Sequence, residues 1–156
     1  MLQTLPFLIC LGSGLIGGVF FAFSTFVMKA LAQLPVAEAV AAMQRINVVV
    51  LNAVFLGVFV GTAVLAGISI LAAFFPWGTT RSFLLLVAGA SYLLGSFGVT
   101  AAFNVPRNER LARMSSSSRE VAEYWPVYLR EWLFWNHVRT LASVASAGCS
   151  AAALAS

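Results

Sequence analysis

The chain has 156 residues, of which 61% are hydrophobic and 9% charged, with a formal net charge of +4. That length suits one compact domain, and a charge content far below the roughly 25% of soluble domains excludes a surface that faces water on all sides. The positive balance does not mark a nucleic-acid binder, because the Lys and Arg residues sit in two short connecting segments rather than across a face, which is the pattern of a topology signal beside membrane spans.

In chain order, the first apolar segment covers 5–28 and contains no charge. Spanning about 30 Å of hydrocarbon takes about 20 helical residues. With no Lys or Arg before it and a length beyond a signal-peptide core, this segment is expected to be a retained span. Gly14 and Gly18 form a GxxxG pair within it, a spacing that lets helix backbones meet in lipid. Pro35 then opens a short amphipathic piece through Arg45 that is expected to run directly into a second span, 48–75. Gly57 and Gly61 make a second GxxxG, and Pro76 and Gly78 close this span in the turn PWGTT. A third span, 82–103, carries the small pair Ser91 and Gly95 and is expected to end at Pro106. The polar segment 107–130 holds a run of serines in which Ser117 and Glu120 fit a capping box. Pro126 is expected to kink the helix that follows. A fourth span, 132–154, contains one charge, Arg139. The predicted fold class is all-α: residues 1–156 form a single four-helix transmembrane bundle, with an amphipathic helix leading into the fourth span.

Lys29, Arg45, Arg107, Arg110, Arg113, Arg119 and Arg130 lie on the side of the first and third connections, and Arg81 stands alone on the other. By the positive-inside rule both termini face outward and the larger loops face the cytoplasm. The expected location is a bacterial inner membrane. Cys10 and Cys149 form no CxxC pair and lie in apolar stretches; they are expected to be free thiols near the outer side.

Polar side chains inside apolar spans are costly and therefore informative. Asn47 and Asn52 open the second span, Asn104 and Asn108 close the third, and Asn136, His137 and Arg139 start the fourth. The topology brings them to one depth, next to Phe20, Phe21, Phe23, Ser24 and Phe26 of the first span. Tyr128, Trp132, Asn136, Arg139 and Ser143 follow at steps of 4, 4, 3 and 4, which places them on one helical face. That face is expected to point into the bundle, with Arg139 hydrogen-bonded into the amide cluster and lining a pocket with Trp132. Other readings compete. The asparagines serve equally as interhelical glue, Tyr124 and Trp125 as an interfacial aromatic belt, and Arg139 could snorkel to headgroups. A single histidine gives little support to a transition-metal site, and no P-loop, GxGxxG or Ser-His-Asp order is present.

Four stretches carry a family resemblance: GVFFAFSTFVM at 18–28, INVVVLN at 46–52, GVTAAFNVPRN at 98–108 and YLREWLFWNHVRT at 128–140. Together they resemble the anthrone-oxygenase-like family of small four-span membrane proteins, much of it catalogued as a domain of unknown function. The resemblance implies oxidation of an anthrone to an anthraquinone by dioxygen, with no flavin, metal or other cofactor. It singles out Asn104, Asn108, Trp132, Asn136 and Arg139.

On this reading Asn136, Arg139 and His137 are the candidate catalytic residues. Trp132, Asn104, Asn108, Asn47, Asn52 and Phe23 would contact substrate. The expected partners are the lipid bilayer and a lipophilic small molecule, with no nucleic acid and with room for a homo-oligomer. The alternative is a non-enzymatic membrane protein that binds a lipophilic molecule or lipid, or a subunit of a membrane complex. A transporter is the weaker third reading, since no span is conspicuously broken at its middle.

Overall fold

The computed structural model describes residues 3–75 and 77–156. Every regular element among them is helical. Helix α1 runs Thr4–Leu31, α2 Val36–Val49, α3 Ala53–Ala72, α4 Thr80–Ala112 and α5 Arg119–Leu154. The four long helices form a bundle, and α2 closes one end of it.

By length and composition α1, α3 and α4 can each cross a membrane. Their outer faces expose large apolar side chains such as Phe7, Leu15, Phe21, Val64 and Leu94, a pattern that only lipid accommodates over so large an area. The chain is a membrane protein. Helix α5 is long enough but richer in Ser and polar groups, and it does not join those three. It packs along both α1 and α4 and buries the stripe Tyr128, Trp132, Asn136, Arg139 and Ser143.

Several boundaries differ from the sequence expectation, each for a local reason. The second span does not continue from α2. The backbone breaks at 50–52, and Asn52 caps α3 by accepting hydrogen bonds from the Val54 and Phe55 amides at 3.1 and 3.0 Å. Pro106 does not end α4, which runs on to Ala112. The helix widens to π geometry over Ser91–Gly98 and Thr100–Asn104 just before that proline, a common way to absorb a missing amide donor. The Phe103 carbonyl there accepts from Arg107 Nη1 at 2.8 Å. The N-cap of α5 is Ser118, whose Oγ accepts from the Val121 amide; with Val121 at the third helical position, the capping box read on Ser117 and Glu120 does not form. Pro126 lies inside helix α5, as the sequence expects. In the α3–α4 turn Gly78 has φ +89°, which glycine adopts at no steric cost; Pro76 lies outside the described residues.

The GxxxG pairs are not helix contacts. A Cβ on Gly14, Gly18, Gly57 or Gly61 would meet open space. The glycines at contacts are Gly12 against Thr62, Gly17 against Ser143, Gly89 against the Ala66 carbonyl and Gly95 against Ala142. Cys10 and Cys149 are free and half-buried.

At the end that carries most of the Arg residues, α2 packs Val40 and Met43 against Leu111, Val121, Tyr124, Trp125 and Tyr128. Tyr124 and Trp125 are thus core residues there, 7% and 3% exposed, rather than an outward belt. Gln44 ties α2 to the end of α4 by donating to the Leu111 and Met114 carbonyls, both at 2.9 Å. Arg107 pairs with Glu131 at 2.9 Å and fastens α4 to α5. That pairing commits the glutamate nearest to Arg139 in sequence.

Candidate functional site

The amide cluster forms because α1, α4 and α5 meet where their apolar faces are interrupted. Asn136 Nδ2 donates to the Phe20 carbonyl and to Ser24 Oγ, both at 2.8 Å. Ser24 in turn shares a hydrogen bond with Thr140 at 3.0 Å. The widened turn of α1 at Phe23–Val27 contains Ser24, and π turns free backbone and small polar groups for such pairings. With its nitrogen committed to α1, the Asn136 oxygen faces Arg139 and accepts from Nη2 at 2.6 Å.

Arg139 is 5% exposed. Its Nη1 donates to Thr100 Oγ1 at 3.2 Å. Its guanidinium lies over the Phe20 ring at 4.1 Å and the Trp132 ring at 5.1 Å, a favourable cation–π arrangement that strengthens where water is excluded. Nε has no partner, and none of the ion pairs among the described residues involves Arg139. A buried cation held by amide and hydroxyl dipoles and by ring faces retains most of its attraction for an anion.

Asn104 is fully buried and donates to the Trp132 carbonyl at 3.2 Å, leaving Oδ1 unpaired. Asn108 Oδ1 accepts from Trp132 Nε1 and from Tyr128 Oη, both at 2.8 Å. Burial pushes the Tyr128 phenol above its ordinary value, only partly offset by Asn47 beside it, so it stays protonated and donates.

These groups border a cleft of about 560 Å³, a size ordinary for small-molecule sites. Its walls include Phe20, Phe23, Phe55, Phe59, Phe97 and Trp132, with Arg139, Asn47 and Asn108 as polar lining. Val48 and Leu51, 64% and 65% exposed, form part of the rim at the α2–α3 break. Phe59 and Phe97 stack at 5.2 Å, and Phe23 tilts against Trp132 at 5.6 Å.

Of the residues selected from sequence, Phe23, Asn47, Asn108, Trp132 and Arg139 line the cleft. Asn136 and Asn104 stand behind the lining and hold Arg139 and the Trp132 backbone. Asn52 is an exposed helix cap, and His137 is exposed on another face of α5. Phe21 and Phe26 also point outward, 54% and 61% exposed. Phe55, Phe59 and Phe97 were missed. The signal available was the i, i+4 spacing of Phe55 and Phe59 beside the asparagine-rich end of α3. Among the described residues no group of three or more His, Cys, Asp or Glu side chains is placed to hold a metal.

A family model for anthrone oxygenase matches residues 51–149. The chain belongs to the anthrone oxygenase family. The match spans α3, α4 and most of α5, and so includes both π stretches of α4 and the stripe that carries Trp132, Asn136 and Arg139. Helix α1 lies outside it, yet supplies Phe20 and Ser24 to the same cluster. No curated protein and no solved structure matches the chain.

Proposed function

We propose that the cleft is the active site of a cofactor-independent oxygenase that acts on a flat, lipophilic, anthrone-like ketone. The observation that carries this reading is Arg139: a buried guanidinium with no carboxylate partner, facing an aromatic cleft of matching size. Aromatic walls hold a fused-ring substrate by stacking. With the substrate carbonyl oxygen at Arg139, loss of a proton from the ring methylene gives an enolate whose charge the guanidinium stabilises in a site shielded from water. Asn136 and Thr100 fix the guanidinium beforehand, so little reorganisation accompanies the charge change.

The enolate supplies the electrons. One passes to dioxygen, and recombination forms a carbon–oxygen bond to give a hydroperoxide. Loss of the remaining ring proton with cleavage of the O–O bond leaves a carbonyl and releases water. One dioxygen is consumed for each methylene converted to a carbonyl. The first proton leaves through the mouth, where Glu109 is the carboxylate in the lining. His137, turned away on the outer face, takes no part.

The test is quinone formation from an anthrone under air by the purified full-length protein in lipid nanodiscs. Wild type should exceed the spontaneous rate, and Arg139→Leu should lower the enzymatic part by about 10²-fold or more. Arg139→Lys should recover only part, because it keeps the charge but loses the fork. A wild-type rate equal to the spontaneous one overturns the proposal.

We also propose that α5 makes a fourth crossing over 132–154, with both termini outside a bacterial inner membrane. The imbalance of basic residues supports this orientation, and Arg81 donates to the Ala153 carbonyl at 2.9 Å, so the α3–α4 turn and the end of α5 share one side. Cysteine labelling from outside should modify position 79 and spare position 116; the reverse pattern overturns the orientation.

A further inference from the structure

The two amides at the α2 side of the cleft have a fixed sense, and it differs from that of Asn136. An indole N–H can only donate. Trp132 Nε1 and the protonated Tyr128 hydroxyl both point at Asn108, so the oxygen of that amide must face them, at 2.8 Å each. The Asn108 NH2 group is thereby turned away from both, in a residue that lines the cleft. Asn47 also lines the cleft, sits beside Tyr128, and has a buried Nδ2 with no partner. The cleft thus carries one half-exposed amide donor, on Asn108, and one buried donor, on Asn47, and buried donors in native proteins are normally satisfied.

Trp132 separates these donors from Arg139. The guanidinium lies over its ring at 5.1 Å, whereas Asn108 lies on its N–H edge. We infer that Asn47 and Asn108 form a second subsite, which takes a neutral carbonyl oxygen at the end of the ligand remote from Arg139. The inference rests on the oxygenase reading for its chemistry. A ketone whose oxygen sits at Arg139 presents the carbon to be oxidised on the far side of its central ring. Before reaction that carbon bears hydrogen and cannot accept a hydrogen bond; afterwards it bears the oxygen derived from dioxygen. The subsite therefore distinguishes the diketone from the monoketone, and the product binds more tightly than the substrate.

Binding of 9,10-anthraquinone and of anthrone, the latter under strict exclusion of oxygen, tests this on full-length protein in nanodiscs without any turnover. Wild type should bind the quinone about tenfold more tightly than the anthrone. Asn108→Asp is the decisive variant. A carboxylate oxygen still accepts from Trp132 and Tyr128, so Trp132 stays in place, but the NH2 donor is gone. Asn108→Asp should bring quinone affinity down to that of the anthrone while leaving anthrone affinity within about twofold. Asn47→Leu, which removes the second amide donor, should weaken quinone binding in the same selective way. Equal loss of both ligands, or no preference for the quinone in wild type, overturns the subsite. A quinone preference that both variants abolish, in a protein that does not accelerate anthrone oxidation, would retain the subsite and sink the oxygenase reading. Turnover without the preference does the reverse.

Discussion

Helix α5 is packed in two ways along its length. From Ser143 onward its inward face is small: Ser143, Ser146, Ser150 and Ala153 are all fully buried. Neighbouring helices come close enough to share hydroxyl hydrogen bonds, Ser13 with Ser146 and Ser143 with Ser96, each at 3.0 Å. Before that point the same face carries Tyr128, Trp132, Asn136 and Arg139, and the helices stand apart around the cleft. Small residues let backbones approach in lipid, where association depends on contact and hydrogen bonds rather than on water. Large polar and aromatic groups hold the helices apart there, and the atoms they leave unpaired, Arg139 Nε and Asn47 Nδ2 among them, suit a space that takes a ligand. One helix therefore makes the closed half rigid and the other half receptive.

The closed half is where substitution should cost most. A Cβ on Gly89 would lie 2.5 Å from the Ala66 carbonyl oxygen and 2.6 Å from Ser69 Oγ. A helix carbonyl cannot move aside, so Gly89→Val should destabilise the bundle by about 3 kcal/mol, at the upper end of overpacking costs. Thermal unfolding in detergent by circular dichroism measures this. A melting temperature unchanged within error would mean that α3 and α4 are not in contact there.

Gly95 sharpens the point because its neighbour is a side chain: a Cβ there would meet Ala142 Cβ at 2.5 Å. Gly95→Ala should cost about 1–2 kcal/mol. Adding Ala142→Gly should return part of it, since the removed methyl vacates the place that the new one needs, although glycine within a helix itself costs about 1 kcal/mol. Strict additivity of the two changes would show that the contact does not limit the α4–α5 approach.

How much of this was legible in the sequence depended on whether a residue's alternatives were few. Arg139 has few options in an apolar helix, and the 3.6-residue period groups it with Trp132 and Asn136, so that face could be read. The glycines had no such constraint. In a helix apolar on every side, an i, i+4 pair marks a face but not which neighbour it meets, so the GxxxG spacing points to Gly14 and Gly18 although Gly12 and Gly17 make the contacts. Continuous hydrophobicity hid the break at 50–52, because Val48, Val49, Val50 and Leu51 read as the start of a span while Asn52 acts as a cap. Pro106 was overweighted as a terminator because π turns leave no mark in composition. The aromatic wall from α3 and α4 is only faintly marked, by the spacing of Phe55 and Phe59, for the related reason that Phe is common in any span.

The receptive half should behave oppositely. Phe97 stacks on Phe59 and borders the cleft, so added volume there has space to occupy. Phe97→Trp should change stability by less than about 1 kcal/mol, while lowering affinity for a fused-ring ligand by about tenfold through lost volume. A large drop in melting temperature with unchanged affinity would mean that the cleft is filled by protein and not by ligand.

The smallest effect belongs to a glycine that the sequence made prominent. Gly18 sits directly beside Gly17, yet the two face different surroundings. A Cβ on Gly17 would press on Ser143 Cβ at 3.2 Å, whereas one on Gly18 would meet nothing within 4 Å. A leucine at 18 would add an apolar side chain to a surface already bearing Leu11, Leu15 and Val19, 51%, 63% and 37% exposed. In a bilayer such a side chain is solvated by lipid tails, and leucine forms helix better than glycine by about 0.5–1 kcal/mol. Gly18→Leu should therefore leave the melting temperature unchanged or raise it slightly, while Gly17→Leu lowers it by wedging α1 from α5. Measured side by side in one detergent, the two variants separate lipid-facing from helix-facing positions on α1. Equal destabilisation by both would mean that a further helix, from a second copy of the chain or another protein, covers the GxxxG face.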